Sequence, residues 1–118
     1  MAIVDDDESA REAIASLVRS LGFMAAEFRS ATAFLQSSRR SQTACLLADM
    51  RMPGMTGLEL HQHLIDAGTP VPTIIMTAHA DAGPREAALR AGVHCYLRKP
   101  LQPAELLACI RSALPDPG

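Results

Sequence analysis

The strongest constraint in this sequence is a rhythm in which short apolar runs alternate five times with longer segments of helical period. Runs at 2–4, 24–28, 44–49, 73–77 and 94–97 read as strands, and the segments 8–21, 30–38, 57–67, 83–91 and 103–114 as helices. In the first helical segment Ala10, Ile14, Leu17, Val18 and Leu21 fall on one face, and in the last Leu106, Leu107, Ile110 and Leu114 do the same. Cys45-Leu46-Leu47-Ala48 and Thr73-Ile74-Ile75-Met76 lack polar alternation, as expected of parallel strands covered on both sides. The economical fold is an α/β/α sandwich of three layers around a five-stranded parallel sheet. Gly22, Gly68-Thr69-Pro70 and Gly92 close helices, while Pro84 and Pro103 stand near helix starts.

Composition narrows the function. The 118 residues suit one domain, with the core filled by aliphatic side chains because only four residues are aromatic. A net charge of −2 gives no basic stripe for direct nucleic-acid or anionic-membrane binding. No apolar run approaches a membrane span and no signal peptide opens the chain, so a cytoplasmic location is expected. Cys45, Cys95 and Cys109 lack metal or disulfide spacing and read as reduced core residues. The tail Pro115-Asp116-Pro117-Gly118 has linker composition, so 1–114 reads as the domain and 115–118 as the start of a linker or disordered tail.

In an open parallel sheet, ligands bind at the carboxyl ends of the strands. Asp5 and Asp6 follow the first run, Asp49 ends the third, Thr77 ends the fourth, and Lys99, the one lysine of the chain, follows the fifth. Right-handed crossovers bring these ends to one edge. Two carboxylates about 4 Å apart repel by roughly 4 kcal/mol at an effective dielectric near 20, a cost that a divalent cation reverses. An all-oxygen donor set suits Mg²⁺ and not zinc. A carboxylate beside such a cation can attack phosphorus; Asp49 is the expected nucleophile, with Thr77 and Lys99 sharing the charge on the phosphoryl oxygens.

Four segments carry a resemblance: Ile3-Val4-Asp5-Asp6-Asp7-Glu8, Asp49-Met50-Arg51-Met52-Pro53-Gly54-Met55-Thr56-Gly57, Ile74-Ile75-Met76-Thr77-Ala78 and Tyr96-Leu97-Arg98-Lys99-Pro100. In this order they resemble the receiver domain of two-component response regulators, most of all receivers that precede a helix-turn-helix DNA-binding output domain. The resemblance implies the flavodoxin-like strand order 2-1-3-4-5. It implies that Asp49 accepts a phosphoryl group from a sensor histidine kinase. It also implies Mg²⁺ held by Asp6, Asp49 and the backbone carbonyl of Arg51, with Asp5 acting through water. Thr77 and Tyr96 would form a switch pair, and the bond before Pro100 would be cis. The changed surface would be the fourth helix, fifth strand and fifth helix, used for a homodimer or an output partner, with DNA reached only through a further domain. On this reading the chain is no enzyme beyond its own phosphorylation and dephosphorylation.

Several residues stand outside this core set. Asp7 reads either as part of the acidic site or as the cap of the first helix. Arg51 and His79, each two places past a key residue, would tune hydrolysis; His79 reads equally as a loop histidine. His61 and His63 point to different helix faces and read as surface residues. Met50, Met52 and Met55 read as loop packing, Arg39-Arg40 as solvated, and Leu101 stands where the family more often has an aromatic. The alternatives are an aspartyl-nucleophile Mg²⁺ phosphatase, whose D-x-D-x-T pattern the Asp49 segment lacks, a stand-alone receiver acting by protein contact, and a degenerate receiver serving only for docking.

Overall fold

The computed structural model describes residues 1–38, 40–78 and 82–114. Five strands, β1 (Ala2–Val4), β2 (Ala26–Phe28), β3 (Leu46–Asp49), β4 (Thr73–Thr77) and β5 (Cys95–Arg98), alternate with five helices, α1 (Glu8–Ser20), α2 (Ala31–Leu35), α3 (Gly57–Asp66), α4 (Ala82–Arg90) and α5 (Pro103–Ala113). The sheet is parallel throughout, in the order β2-β1-β3-β4-β5. Every residue of β1, β3 and β4 is buried, which explains their unbroken apolar runs, whereas the edge strands β2 and β5 are partly exposed.

Strand pleating sends alternate side chains to two cores. On one face Ile3, Leu47, Ile74, Met76 and Leu97 meet Ile14, Ala15 and Val18 of α1 and Leu106 and Ile110 of α5. On the other, Val4, Leu46, Ala48 and Ile75 meet Phe34 of α2, Leu60 and Leu64 of α3 and Ala88 of α4. Phe34 also meets Phe28 edge-on, with ring centroids 5.3 Å apart. Such a pair adds about 0.5–1.5 kcal/mol beyond its buried area. Leu101 is half-buried against the α1/α5 layer.

Element boundaries depart from the sequence expectation where local hydrogen bonding overrides apolar pattern. The second strand is shorter than 24–28 because the Met1 amino group takes the Met24 carbonyl at 2.9 Å and ladder pairing begins only at Ala26; Met24 itself is 87% exposed. The second helix stops at Leu35 and does not run through 38: Ser37 N–H bonds Phe34 O in a tighter turn, and a short 3₁₀ segment, Arg40–Gln42, follows. The fifth strand, Cys95–Arg98, lies one residue later than expected, with His94 N–H bonded to Thr73 O of β4 just ahead of it.

Two expectations are corrected. His61 is not on the surface: it is 4% exposed, its Nδ1 lies 3.0 Å from Thr73 Oγ1 and its Nε2 3.0 Å from the Ala91 carbonyl. The face of α3 that carries it is covered by β4 and the end of α4, which the helical pattern did not show. Arg40 is not merely solvated, since its guanidinium donates to Thr69 Oγ1 at 3.2 Å and to Leu35 O. Arg39, His79 and residues 115–118 lie outside the described residues, and with them the expectations placed there. All three cysteines are free thiols; Cys45 is fully buried and burial pushes its thiol up to about 11, while Cys95 and Cys109 are half-buried. Among the described residues no helix is long and apolar enough to cross a membrane.

Candidate functional site at the carboxyl edge of the sheet

The interior position of β1 beside β3 creates the site. Their register pairs Val4 with Ala48, so one step further along both strands Asp5 and Asp49 emerge side by side. Asp5 is fully buried and each of its polar groups is engaged. Its N–H donates to Phe28 O at 3.1 Å, Oδ1 accepts from Asp7 N–H at 3.0 Å, Oδ2 accepts from Lys99 Nζ at 2.7 Å, and its carbonyl accepts from Arg11 Nη1 at 3.0 Å. Asp6 is exposed. Asp7 caps α1, its side chain accepting from Ala10 N–H at 3.2 Å, so of its two sequence readings the cap is the one observed.

Asp49 is 9% exposed, with Lys99 Nζ 3.5 Å from its Oδ1. Burial raises its carboxyl above the ordinary range and the Asp5 charge adds to that, while Lys99 and a backbone bond from Arg51 act in the opposite direction. Burial works against the Lys99 charge too, yet its bond to Asp5 and the charges of both aspartates raise it overall. One oxygen from each of Asp5, Asp6 and Asp49 lies within 4.8 Å of the others. Three carboxylates against one ammonium leave surplus negative charge in a partly buried place, and the donors are all oxygen. That set fits a hard divalent cation and could hold a metal ion.

The loop after Asp49 is shaped to keep it in place. Met50 N–H bonds Met76 O at 2.7 Å, and α3 starts in a capping box in which Thr56 and Glu59 satisfy each other's backbone donors. Gly57 opens α3 so close to β3 that a Cβ there would lie 2.6 Å from the Asp49 carbonyl oxygen. Met52 is buried and Met50 and Met55 pack on the core, as loop-packing residues should.

Thr77, 2% exposed at the end of β4, accepts from Lys99 N–H at its carbonyl, 2.7 Å away. The peptide between Lys99 and Pro100 is cis. Beside the acidic cluster a cavity of about 520 Å³ is lined by Met50, Arg51, Met52, Thr77, Pro84 and Tyr96, among others. Tyr96 is half-buried against the core at its rim, and the Arg51 side chain is exposed.

A family model described as the response regulator receiver domain matches residues 1–111. The chain belongs to that family. The receiver is 41% identical over 112 residues to the response regulator protein TodT of Pseudomonas putida, covering 95% of this chain and 49% of TodT. It is 36% identical over 112 residues to the transcriptional regulatory protein FixJ of Azorhizobium caulinodans, covering 95% of this chain and 53% of FixJ. The chain thus spans about half the length of these curated relatives. Among solved structures, FixJ-N superimposes with a TM-score of 0.86 at 33% identity over 95% of this chain and 90% of that one. The response regulator StyR gives 0.84 at 40% identity over 96% of this chain and 57% of that one. The flavodoxin-like receiver fold and the place of this domain in two-component response regulators are therefore shown.

Arg11 and Gly57 belong to the site without standing at a strand end as the charged residues do. The receiver's Arg11 lies six positions past Asp5, where the first turns of α1 lean back over the end of β1. A cation spaced three, four and seven positions before the apolar Ile14, Ala15 and Val18, and so on their face of the helix, was the available signal.

Proposed function

We propose that this receiver accepts a phosphoryl group on Asp49 from a phosphohistidine of a sensor histidine kinase. The observation that carries this reading is the meeting of Asp5, Asp6, Asp49 and Lys99 at one sheet edge, with Asp49 next to a cavity roomy enough for a phosphoryl group. An Asp49 carboxylate oxygen forms a bond to phosphorus as the P–N bond to the donor imidazole breaks, and the freed imidazole takes up a proton. The product is an acyl phosphate, and Asp49 later regains its carboxylate by hydrolysis. Lys99 neutralises one of the phosphoryl oxygens, and the Thr77 hydroxyl turns toward another.

Asp6, Asp49 and the Arg51 carbonyl would hold Mg²⁺, with Asp5 engaged through a water. The cation would supply charge neutralisation and alignment of the phosphoryl oxygens. Movement of Thr77 makes room for Tyr96 to turn inward from the cavity rim. The change is then read on the α4, β5 and α5 surface, by a second copy of this chain or by an output partner. Arg51 and His79 set the lifetime of the phosphorylated state. We assign 1–114 to the receiver, a cytoplasmic location to the protein, and transcription to its output, because FixJ is named as a transcriptional regulator. DNA is contacted outside this domain, and the domain turns over no substrate but its own phosphoryl group.

The test is incubation with Mg²⁺ and acetyl phosphate followed by intact mass, for wild type and Asp49→Ala. A phosphoryl adduct on wild type alone supports the reading. No adduct on wild type sinks it, and an equal adduct on the variant moves the acceptor elsewhere.

A further inference from the structure

We infer that Arg11 is a positioning residue for the divalent cation, acting through the backbone between Asp5 and Asp6; this deepens the reading of the acidic cluster as a Mg²⁺ site and rests on it. Arg11 sits on α1 with its side chain only 15% exposed. Its Nη1 donates to the Asp5 carbonyl at 3.0 Å, and its Nε lies 3.4 Å from Glu27 Oε1 on the edge strand β2. Glu27 is held from its other side by Arg19, whose Nη2 is 3.7 Å from Oε2 and also donates to Ala25 O at 3.1 Å.

The Asp5 carbonyl and the Asp6 N–H belong to one rigid peptide plane. Fixing the carbonyl oxygen therefore fixes the Asp6 N and Cα, the point from which its exposed carboxylate leaves the chain. Asp5 is pinned at its carboxylate and N–H by other partners, so Arg11 controls the remaining freedom, rotation of the plane that leads into Asp6. A guanidinium suits this task because its planar fork reaches the carbonyl and Glu27 at once, whereas a compact ammonium would have to choose. Glu27 in turn compensates the guanidinium charge, leaving Arg11 to act by geometry more than by field. Outer partners that orient metal ligands typically govern affinity by 10–100-fold.

The experiment is calorimetric titration of the 118-residue chain with Mg²⁺ for wild type, Arg11→Met, Arg11→Lys, Glu27→Gln and Asp6→Asn, with melting temperatures and acetyl phosphate kinetics alongside. Arg11→Met is expected to weaken Mg²⁺ binding about tenfold, Arg11→Lys to recover part of this, and Glu27→Gln to weaken it by a smaller factor. The Mg²⁺ concentration for half-maximal phosphorylation should rise in step, while the rate at saturating Mg²⁺ stays within about threefold of wild type, separating positioning from chemistry. Mg²⁺ affinity unchanged in Arg11→Met overturns the inference, and if that variant does not fold, unchanged affinity in both Arg11→Lys and Glu27→Gln does so. Should wild type bind no Mg²⁺, or Asp6→Asn bind it as tightly, the reading of the acidic cluster fails first.

Discussion

Lys99 and Asp5, 94 positions apart in sequence, are joined by a 2.7 Å bond to a carboxylate with no solvent exposure. Truncating the lysine would leave that carboxylate buried without its counter-charge. Lys99→Met is therefore expected to lower unfolding stability by about 3 kcal/mol. Urea denaturation checks it, and Asp5→Asn combined with Lys99→Met should lose less than the sum of the two single changes.

Asp49 works against stability when ionised. Its carboxyl is raised, chiefly by burial, so the folded state holds the proton more tightly than the unfolded chain. Stability contributed by this group is present at low pH and falls as pH rises from the ordinary carboxylate range through the raised folded value. Asp49→Asn should accordingly melt higher than wild type at pH 7.5 without Mg²⁺, with the advantage fading on acidification. Added Mg²⁺ should raise the wild-type melting temperature by more than that of the variant. A variant that melts lower than wild type at pH 7.5 would contradict the sign.

His61 holds together three elements. Thr73 Oγ1 gives its proton to Val71 O at 2.8 Å and faces His61 Nδ1, while Nε2 faces the Ala91 carbonyl beyond α4. His61→Leu removes the donor to that carbonyl and should cost about 1–3 kcal/mol. His63→Ala, two residues on and exposed, should stay within about 0.5 kcal/mol of wild type. Thermal melts of the pair check this, and equal small losses for both would contradict the bridging role of His61.

Gly57 is held by space. An added methyl would meet the Asp49 carbonyl oxygen at 2.6 Å and Ile75 Cδ1 at 2.9 Å, and the backbone oxygen cannot swing away as the isoleucine can. Gly57→Ala should lower stability by about 1–3 kcal/mol and slow phosphoryl adduct formation by shifting Asp49. Melting and time-resolved intact mass would show both, and a variant equal to wild type in each would rule out the close approach.

Much of the fold was legible because strand and helix periods differ so sharply. The unbroken run Thr73-Ile74-Ile75-Met76 could hardly be placed except in the sheet interior, and Asp5, Asp49, Thr77 and Lys99 inherited their shared edge from strand direction alone. What stayed hidden depends on contacts between elements distant in sequence. His61 is polar on a helix whose period cannot say that α4 closes over it. Arg11 looks like one more helical cation until the distance to Asp5 O is measured. Short elements were also misjudged: α2 ends at Leu35 because serines beyond it favour a tighter turn, which no apolar spacing announces.

The run Asp5-Asp6-Asp7 spells one letter three times, yet each copy has a different address: inside the protein, at its surface, and at the head of a helix. Counting begins from β1, so losing one copy would not erase the pair nearest the strand. It would erase the last, putting Glu8, a poorer cap, in the capping place ahead of α1. The damage would surface as fraying of α1, and with it of the turn that carries Arg11, while the acidic pair still read as intact on paper. Redundancy in the letters is therefore no redundancy in the molecule.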